Sequence, residues 1–209
     1  MKTEISFKIT CFTGGPVETH AYLIALPEGN LLVDAPEGAA DYFREMPINF
    51  LILTHSHFDH VMDAAKIVRE KKCPVAMHFI TEEHLADKTL CRRFGLPYEI
   101  EPVKATTYLQ ESKQQNILGA HFDVFEVPGH CPGSICLYNE SAKILFGGDV
   151  LFAGGVGRWD LPGGNGKLLI DGIRKKLLTL SPETCVLPGH GPETTIGREA
   201  KTNGYLISS

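Results

Sequence analysis

The chain has 209 residues, 43% of them hydrophobic and 22% charged, with a formal net charge of −5. That is the composition of one ordinary globular domain. The acidic balance, with no stripe of Lys or Arg, argues against nucleic acid as a partner. No run of about 18 apolar residues is present to span a membrane. The opening MKTEISFKIT lacks the apolar stretch of a signal peptide, so a cytoplasmic location is expected. Cysteines at 11, 73, 91, 131, 136 and 185 form no CxxC pair and match neither a zinc knuckle nor a disulfide framework. Reduced thiols are expected.

In chain order, residues 5–12 and 21–26 read as strands separated by Gly14-Gly15-Pro16. Leu31-Leu32-Val33 is a strand that runs into Asp34 and Pro36, and 39–45 is a brief helix. Phe50–Leu53 is fully apolar, as a buried strand would be, and stops at a histidine cluster. From Asp59 the spacing of Val61, Ala64, Ala65, Ile67 and Val68 predicts a helix closed by Pro74. Residues 75–79 read as a strand, and Thr81-Glu82-Glu83 opens a helix running toward Phe94-Gly95. Strands follow at 122–127, 134–138, 144–146 and 185–187, with helices at 168–180 and 197–203. Two β-rich halves, each followed by helices, predict an α/β protein with sheet packed on sheet and helices outside.

The segment LTHSHFDH places His55, His57, Asp59 and His60 within six positions of a chain that has nine histidines. Three more residues sit where an apolar strand runs into a Gly/Pro-rich loop: His130 in VPGHCPGS, Asp149 in LFGGDVLF and His190 in LPGHGPET. Loops at one end of a scaffold collect binding residues. Taken singly, His130 and His190 are ordinary loop histidines, Asp149 is a turn residue and Asp59 a helix N-cap. Jointly they form a ligand set. Seven nitrogen and oxygen donors exceed the three protein ligands of one catalytic zinc. Two divalent metal ions are therefore expected, with zinc favoured and iron or manganese also suited.

The pattern H-x-H-x-D-H followed downstream by single His, Asp and His resembles the metallo-β-lactamase superfamily, and the resemblance runs from LLVDAPEG through LPGHGPETTIGREAKTN. It implies a four-layer αββα sandwich of two mixed sheets flanked by helices. One metal would take His55, His57 and His130; the other would take Asp59, His60 and His190. Asp149 would bridge them, and Asp34 would orient the site from behind the ligands. The stretch LFAGGVGRWDLPGGN resembles the small glyoxalase II-like hydrolases, without the C-terminal helical domain of the larger enzymes, so residues 1–209 are expected to be a single hydrolase domain. The resemblance implies a binuclear hydrolase in which a metal-bridging hydroxide, held through Asp59 and Asp149, attacks a small thioester or ester such as a hydroxyacylglutathione. Retention of both Asp149 and His60 speaks against a true zinc β-lactamase. A persulfide dioxygenase of the same fold, with one iron on His55, His130 and Asp149, is the alternative, and an inactive metal-bearing domain is a more distant one.

Substrate contacts are expected from the 154–165 loop. Arg158 would meet a substrate carboxylate or, the commoner outcome, pair with a nearby Asp. Trp159 would floor the pocket or pack. Cys131, beside His130, is either a third-site soft ligand or, more commonly, an ordinary small loop residue. His20, His78, His84 and His121 are expected to be surface or core histidines, and the protein a monomer or homodimer.

Overall fold

The computed structural model describes residues 7–207 apart from 94, 96 and 98. The first sheet holds six strands in sequential order: β1 Lys8–Gly14, β2 Thr19–Leu26, β3 Gly29–Val33, β4 Phe50–Ile52, β5 Val75–Met77 and β6 Thr107–Tyr108. β1 to β3 are antiparallel, and β3 to β6 run parallel. The second sheet contains β7 Ser112–Ile117, β8 Ala120–Glu126, β9 Ile135–Asn139 and β10 Ile144–Gly148. A small hairpin of β11 Leu151–Phe152 and β12 Gly155–Val156 follows, and then β13 Cys185–Pro188 and β14 Thr194–Thr195 complete the sheet. Its order is β14-β13-β10-β9-β8-β7, with β10 and β13 parallel.

The two-residue period of the strands builds the layers. Leu31, Val33, Ile52 and Ala76 face Phe122, Val124, Ile135, Leu137 and Phe146 across the gap between the sheets. Their neighbours Leu32, Leu51, Val75 and Met77 point the other way. They pack there on Phe43 and on helices α1 Ala39–Tyr42, α2 Phe58–Val61, α3 Ala64–Lys71 and α4 Phe79–Ala86. On the far side, Cys136, Tyr138, Leu145 and Val186 pack on Leu169, Ile173, Leu177, Ile196 and Leu206. These residues lie on α6 Gly166–Gly172, the π-helical turn Ile173–Leu177, α7 Ile196–Thr202 and α8 Gly204–Ile207; α5 Leu90–Arg93 precedes the second sheet. The result is the expected αββα sandwich.

Several boundaries differ from the sequence expectation, each for a local reason. The strand expected at 5–12 runs Lys8–Gly14, and residues 5 and 6 lie outside the described residues. The helix expected over 39–45 ends at Tyr42: Phe43 is its C-cap, and the amides of Arg44 and Met46 bond three residues back, to Asp41 O and Phe43 O, as turns. The helix expected from Asp59 begins at Phe58, so Asp59 lies in its first turn and is no N-cap. It then breaks at Asp63, whose amide donates to Ala35 O and whose carboxylate accepts from Ala40 N. Its second half, α3, is closed by Lys72 in the left-handed region. The strand expected over 75–79 stops at Met77, since His78 caps α4 by accepting the Ile80 amide at Nδ1. That helix ends at Ala86, where Asp87 takes the amide and hydroxyl of Thr89; Phe94 lies outside the described residues. β7 escaped the periodicity reading because it is a polar, mostly exposed edge strand with no alternation.

Candidate metal centre

Asp34 follows β3, the 55–60 segment follows β4, Asp149 follows β10 and His190 follows β13. Since β3 runs parallel to β4 and β10 parallel to β13, their C-terminal ends fall at one edge of the sandwich. His130, between β8 and β9, reaches the same edge. The Ile135 amide donates to Thr54 O at 3.0 Å and ties the two sheets together there.

The histidines are oriented from behind. Both Asp34 oxygens accept from Thr54, from its amide at Oδ1 and its hydroxyl at Oδ2, each at 2.8 Å. With its hydrogen committed to Asp34, Thr54 Oγ1 accepts from His55 Nδ1 at 3.0 Å. Asp34 Oδ2 also accepts from His60 Nδ1 at 2.8 Å. His130 Nδ1 donates to Arg158 O at 2.8 Å, and His190 Nδ1 donates to Val17 O at 3.0 Å. In each ring the outer nitrogen is a donor, which turns Nε2 toward the common centre. Nε2 of His55, His60 and His130, together with Asp149 Oδ1, are buried and make no hydrogen bond. Buried polar atoms without partners are rare in native proteins. Such atoms suit a cation.

Three sets bring ligand atoms within 4.8 Å of one another: His55, His57 and His130; Asp59, His60 and His190; and His55, His60 and Asp149. Asp149 stands between the first two, with Oδ1 3.2 Å from His60 Nε2 and Oδ2 3.3 Å from His190 Nε2 and 3.5 Å from His130 Nε2. Asp59 Oδ2 lies 3.2 Å from His190 Nε2 and accepts from Thr19 Oγ1 at 2.6 Å. The donor set therefore fits divalent metal ions.

Burial and mutual repulsion divide these groups. Burial, then the charges of His60 and His57, hold His55 well below its ordinary pKa. Burial and His130 push His57 down to about 3, and burial lowers His130 as well. At His60 burial is opposed and outweighed by Asp149, Asp59 and Asp34, so its pKa rises. At His190 the hydrogen bonds to Asp149 and Asp59 overcome burial and raise it to about 10. Burial would raise Asp59, but His60, His190 and Thr19 bring it down to about 2; Asp149 is lowered in the same way. Neutral imidazoles thus form one set, and ionised carboxylates beside strongly basic imidazoles form the other.

Glycines make the approach possible. A Cβ on Gly189 would sit 2.2 Å from Asp149 Oδ1, and one on Gly157 would sit 2.0 Å from Asp149 O. Two residues escaped the sequence reading. Thr19 is fully buried against Asp59. His20 is more than a surface or core residue: its amide donates to Gly189 O and its Nε2 to Gly191 O, both at 2.8 Å, bracketing His190. Thr19 and His20 lie on an antiparallel strand far from the motif in sequence, and no spacing signals them.

Arg158 pairs with Asp160 through two hydrogen bonds of 2.8 Å. Trp159 stands in an adjoining cleft, edge-on to Tyr205 at 5.8 Å. Cys131 Sγ lies 3.4 Å from Ser56 Oγ and belongs to none of the three ligand sets; burial raises its thiol. Above the ligands opens a cavity of about 680 Å³, walled by Val17, Phe58, Ile100, Phe152, Val156 and Leu161.

A four-layer αββα sandwich with a His/Asp cluster at one edge is the architecture of a class of metal-dependent enzymes, hydrolases among them. The model of the metallo-beta-lactamase superfamily matches residues 14–190, and the chain belongs to that superfamily. Among curated relatives it is 38% identical to Probable metallo-hydrolase YqgX of Bacillus subtilis, over 92% of this chain and 94% of that one. It is 36% identical to hydroxyacylglutathione hydrolase GloC of Haemophilus influenzae, over 87% and 89%. Among solved structures, BLEG-1 B3 metallo-beta-lactamase superposes with a TM-score of 0.89 at 33% identity, covering 96% of this chain and all of that one. The protein TTHA1623, solved in a di-iron-bound form, gives 0.83 at 37% identity, covering 94% of this chain and all of that one. Among the described residues no helix is long and apolar enough to cross a membrane.

Proposed function

We propose that this chain is a binuclear metal-dependent hydrolase that cleaves a small thioester, a hydroxyacylglutathione being the first substrate to test. The observation that carries the reading is the set of buried Nε2 atoms on His55, His60 and His130, fixed by bonded Nδ1 atoms and facing the ionised Asp59 and Asp149. His55, His57 and His130 would hold one ion; Asp59, His60 and His190 the other, with Asp149 serving both. Divalent cations held there supply Lewis acidity toward a carbonyl oxygen and lower the pKa of water toward about 7. Zinc suits the donors, and iron is supported by the di-iron relative. Asp34 and Thr54 keep two imidazoles in the ligating tautomer, while Thr19 and His20 fix Asp59 and the His190 loop. Asp59 and Asp149 act as ligands and take no separate acid or base role. The cavity above them seats the substrate; Arg158 and Trp159, taken up by Asp160 and Tyr205, are weaker candidates for contact. The GloC name supports a glutathione thioester. We read the chain as one hydrolase domain, a cytoplasmic monomer or homodimer acting on a small molecule.

A single-iron dioxygenase site on His55, His130 and Asp149 would leave a second complete set of donors, Asp59, His60 and His190, without an ion. That favours two ions. The B3 metallo-beta-lactamase neighbour supports β-lactams as a second substrate class, despite the retained Asp149 and His60. The test is hydrolysis of S-D-lactoylglutathione and a chromogenic cephalosporin by protein stripped of metal and reloaded with zinc, iron or manganese. Thioester loss that needs metal and vanishes in Asp149→Ala is the expected result. Turnover of the cephalosporin alone would replace the thioester reading, and metal-independent turnover would sink the metal centre.

A further inference from the structure

The cavity over the ligands carries more information than its place. Its walls come from four separate parts of the chain: Val17 from the β1–β2 turn, Phe58 from α2, Ile100 from the segment after α5, and Phe152, Val156 and Leu161 from the β11–β12 region. None of these side chains is fully buried, and Val17 is 48% exposed. Ile100 and Val156 also pack against the outer core clusters, and all six converge on one opening. Apolar side chains left partly exposed around a concave site mark the surface a ligand covers.

Charge points the same way. Among the described residues lining this cavity, Arg158 is the one with a permanent positive charge, and Nε and Nη2 are both spent on Asp160. Of the other charged or titratable groups on the walls, Asp59, Asp149, His57, His130 and His190 belong to the ligand cluster, and Cys91 is a thiol whose pKa burial raises. The glutathione part of a thioester carries two carboxylates and an ammonium, which call for free Arg or Lys donors. Among the described walls, the Nη1 of Arg158 is all that remains, on a guanidinium already paired with Asp160.

Resting on the thioester-hydrolase reading above, we infer that the preferred substrate is a thioester with an apolar acyl chain and no anionic arm, the chain lying against Phe58, Ile100, Phe152 and Leu161. Each methylene buried there raises kcat/KM by about fourfold until the walls are filled. A short hydroxyacyl group gains little from the same surface, because outside the cluster its hydroxyl meets, among the described side chains, Ser56, the Cys91 thiol and the Asp160-paired Arg158 on an otherwise apolar wall.

The test uses metal-loaded protein and straight-chain S-acyl-N-acetylcysteamines from acetyl to octanoyl, with hexanoylglutathione and S-D-lactoylglutathione beside them. Expected are a rise of about fourfold per methylene over the first few carbons, and equal rates within about threefold for the two hexanoyl thioesters. In parallel, calorimetry measures binding of the product carboxylates, acetate to octanoate, which needs no turnover. Affinity should climb with chain length, and the climb should flatten in Phe152→Ala and Ile100→Ala. A flat series with hydrolysis intact, or lactoylglutathione outrunning every apolar thioester, overturns the inference and leaves the hydrolase standing. Chain-dependent carboxylate binding without hydrolysis of any thioester sinks the reaction and keeps the apolar site.

Discussion

Asp34→Asn should weaken metal binding without touching a ligand. Asp34 is 2% exposed and accepts from the Thr54 amide, the Thr54 hydroxyl and His60 Nδ1. Its backbone lies at φ 60, in the left-handed region that Asn tolerates nearly as well as Asp, so the fold should survive. The amide can still accept from Thr54 N through its oxygen. Its NH₂ then faces Thr54 Oγ1 and His60 Nδ1, so His60 must accept at Nδ1 and carry its proton on Nε2, where the metal should bind. A hydrogen bond to a charged acceptor contributes about 1.5–3 kcal/mol net. At about 1.4 kcal/mol per decade that is roughly 10- to 150-fold in affinity, and partners behind metal ligands commonly contribute about 10- to 100-fold. The loss should fall first on the Asp59, His60 and His190 set, which Asp34 contacts directly, and more weakly on the His55 set, which it reaches through Thr54. Competition with a zinc chelator, read by metal analysis after dialysis, should show one ion per chain leaving at least tenfold more readily. Long-range ¹H–¹⁵N spectra of the imidazoles should show the His60 proton moving from Nδ1 to Nε2. Two ions retained with wild-type affinity would refute the orienting role of Asp34.

Gly189→Ala should fold yet bind less metal, because the new Cβ would lie 2.2 Å from Asp149 Oδ1 on the carboxylate proposed to serve both ions; a metal content and affinity equal to wild type would contradict this. His190, raised to about 10 by its hydrogen bonds to Asp149 and Asp59, is protonated in metal-stripped protein at pH 7.5, His60 is shifted the same way by Asp149 and Asp59, and His55, His57 and His130 are lowered toward the neutral form. Filling the cluster should therefore release at least one proton, and affinity at the Asp59 set should fall about tenfold per pH unit for each proton displaced as pH drops. Calorimetry in buffers of different ionisation enthalpy measures the release; none at pH 7.5 would contradict the assignment. Phe122 is fully buried between the sheets, so Phe122→Ala should cost about 3–5 kcal/mol in urea unfolding of metal-stripped protein. A loss under about 1 kcal/mol would mean that the inter-sheet layer is not where the core sits.

The ligand cluster was legible in the sequence because the chemistry demands particular side chains and the fold delivers them at strand ends. His55, His57, Asp59 and His60 are contiguous, and His130, Asp149 and His190 each follow an apolar strand into a Gly-rich loop. The inner strands were legible for a similar reason: Leu31–Val33 and Phe50–Ile52 are apolar at every position, since both faces of their sheet are covered. What failed was whatever depends on a distant partner. The helix expected beyond Asp59 breaks where Asp63 bonds Ala35 and Ala40, and the polar β7 is a strand only because β8 lies beside it.

By itself, then, the sequence determined the superfamily, the layered architecture and which side chains make up the candidate cluster, all of which follow from residue type and local period. Only the tertiary structure decided how those donors are used. The tautomers of His55 and His60 depend on Asp34 and Thr54, the hold on Asp59 and the His190 loop depends on Thr19 and His20, and the apolar walls come from four separate segments. Each is a contact between residues far apart in the chain, set by packing geometry that no local pattern encodes.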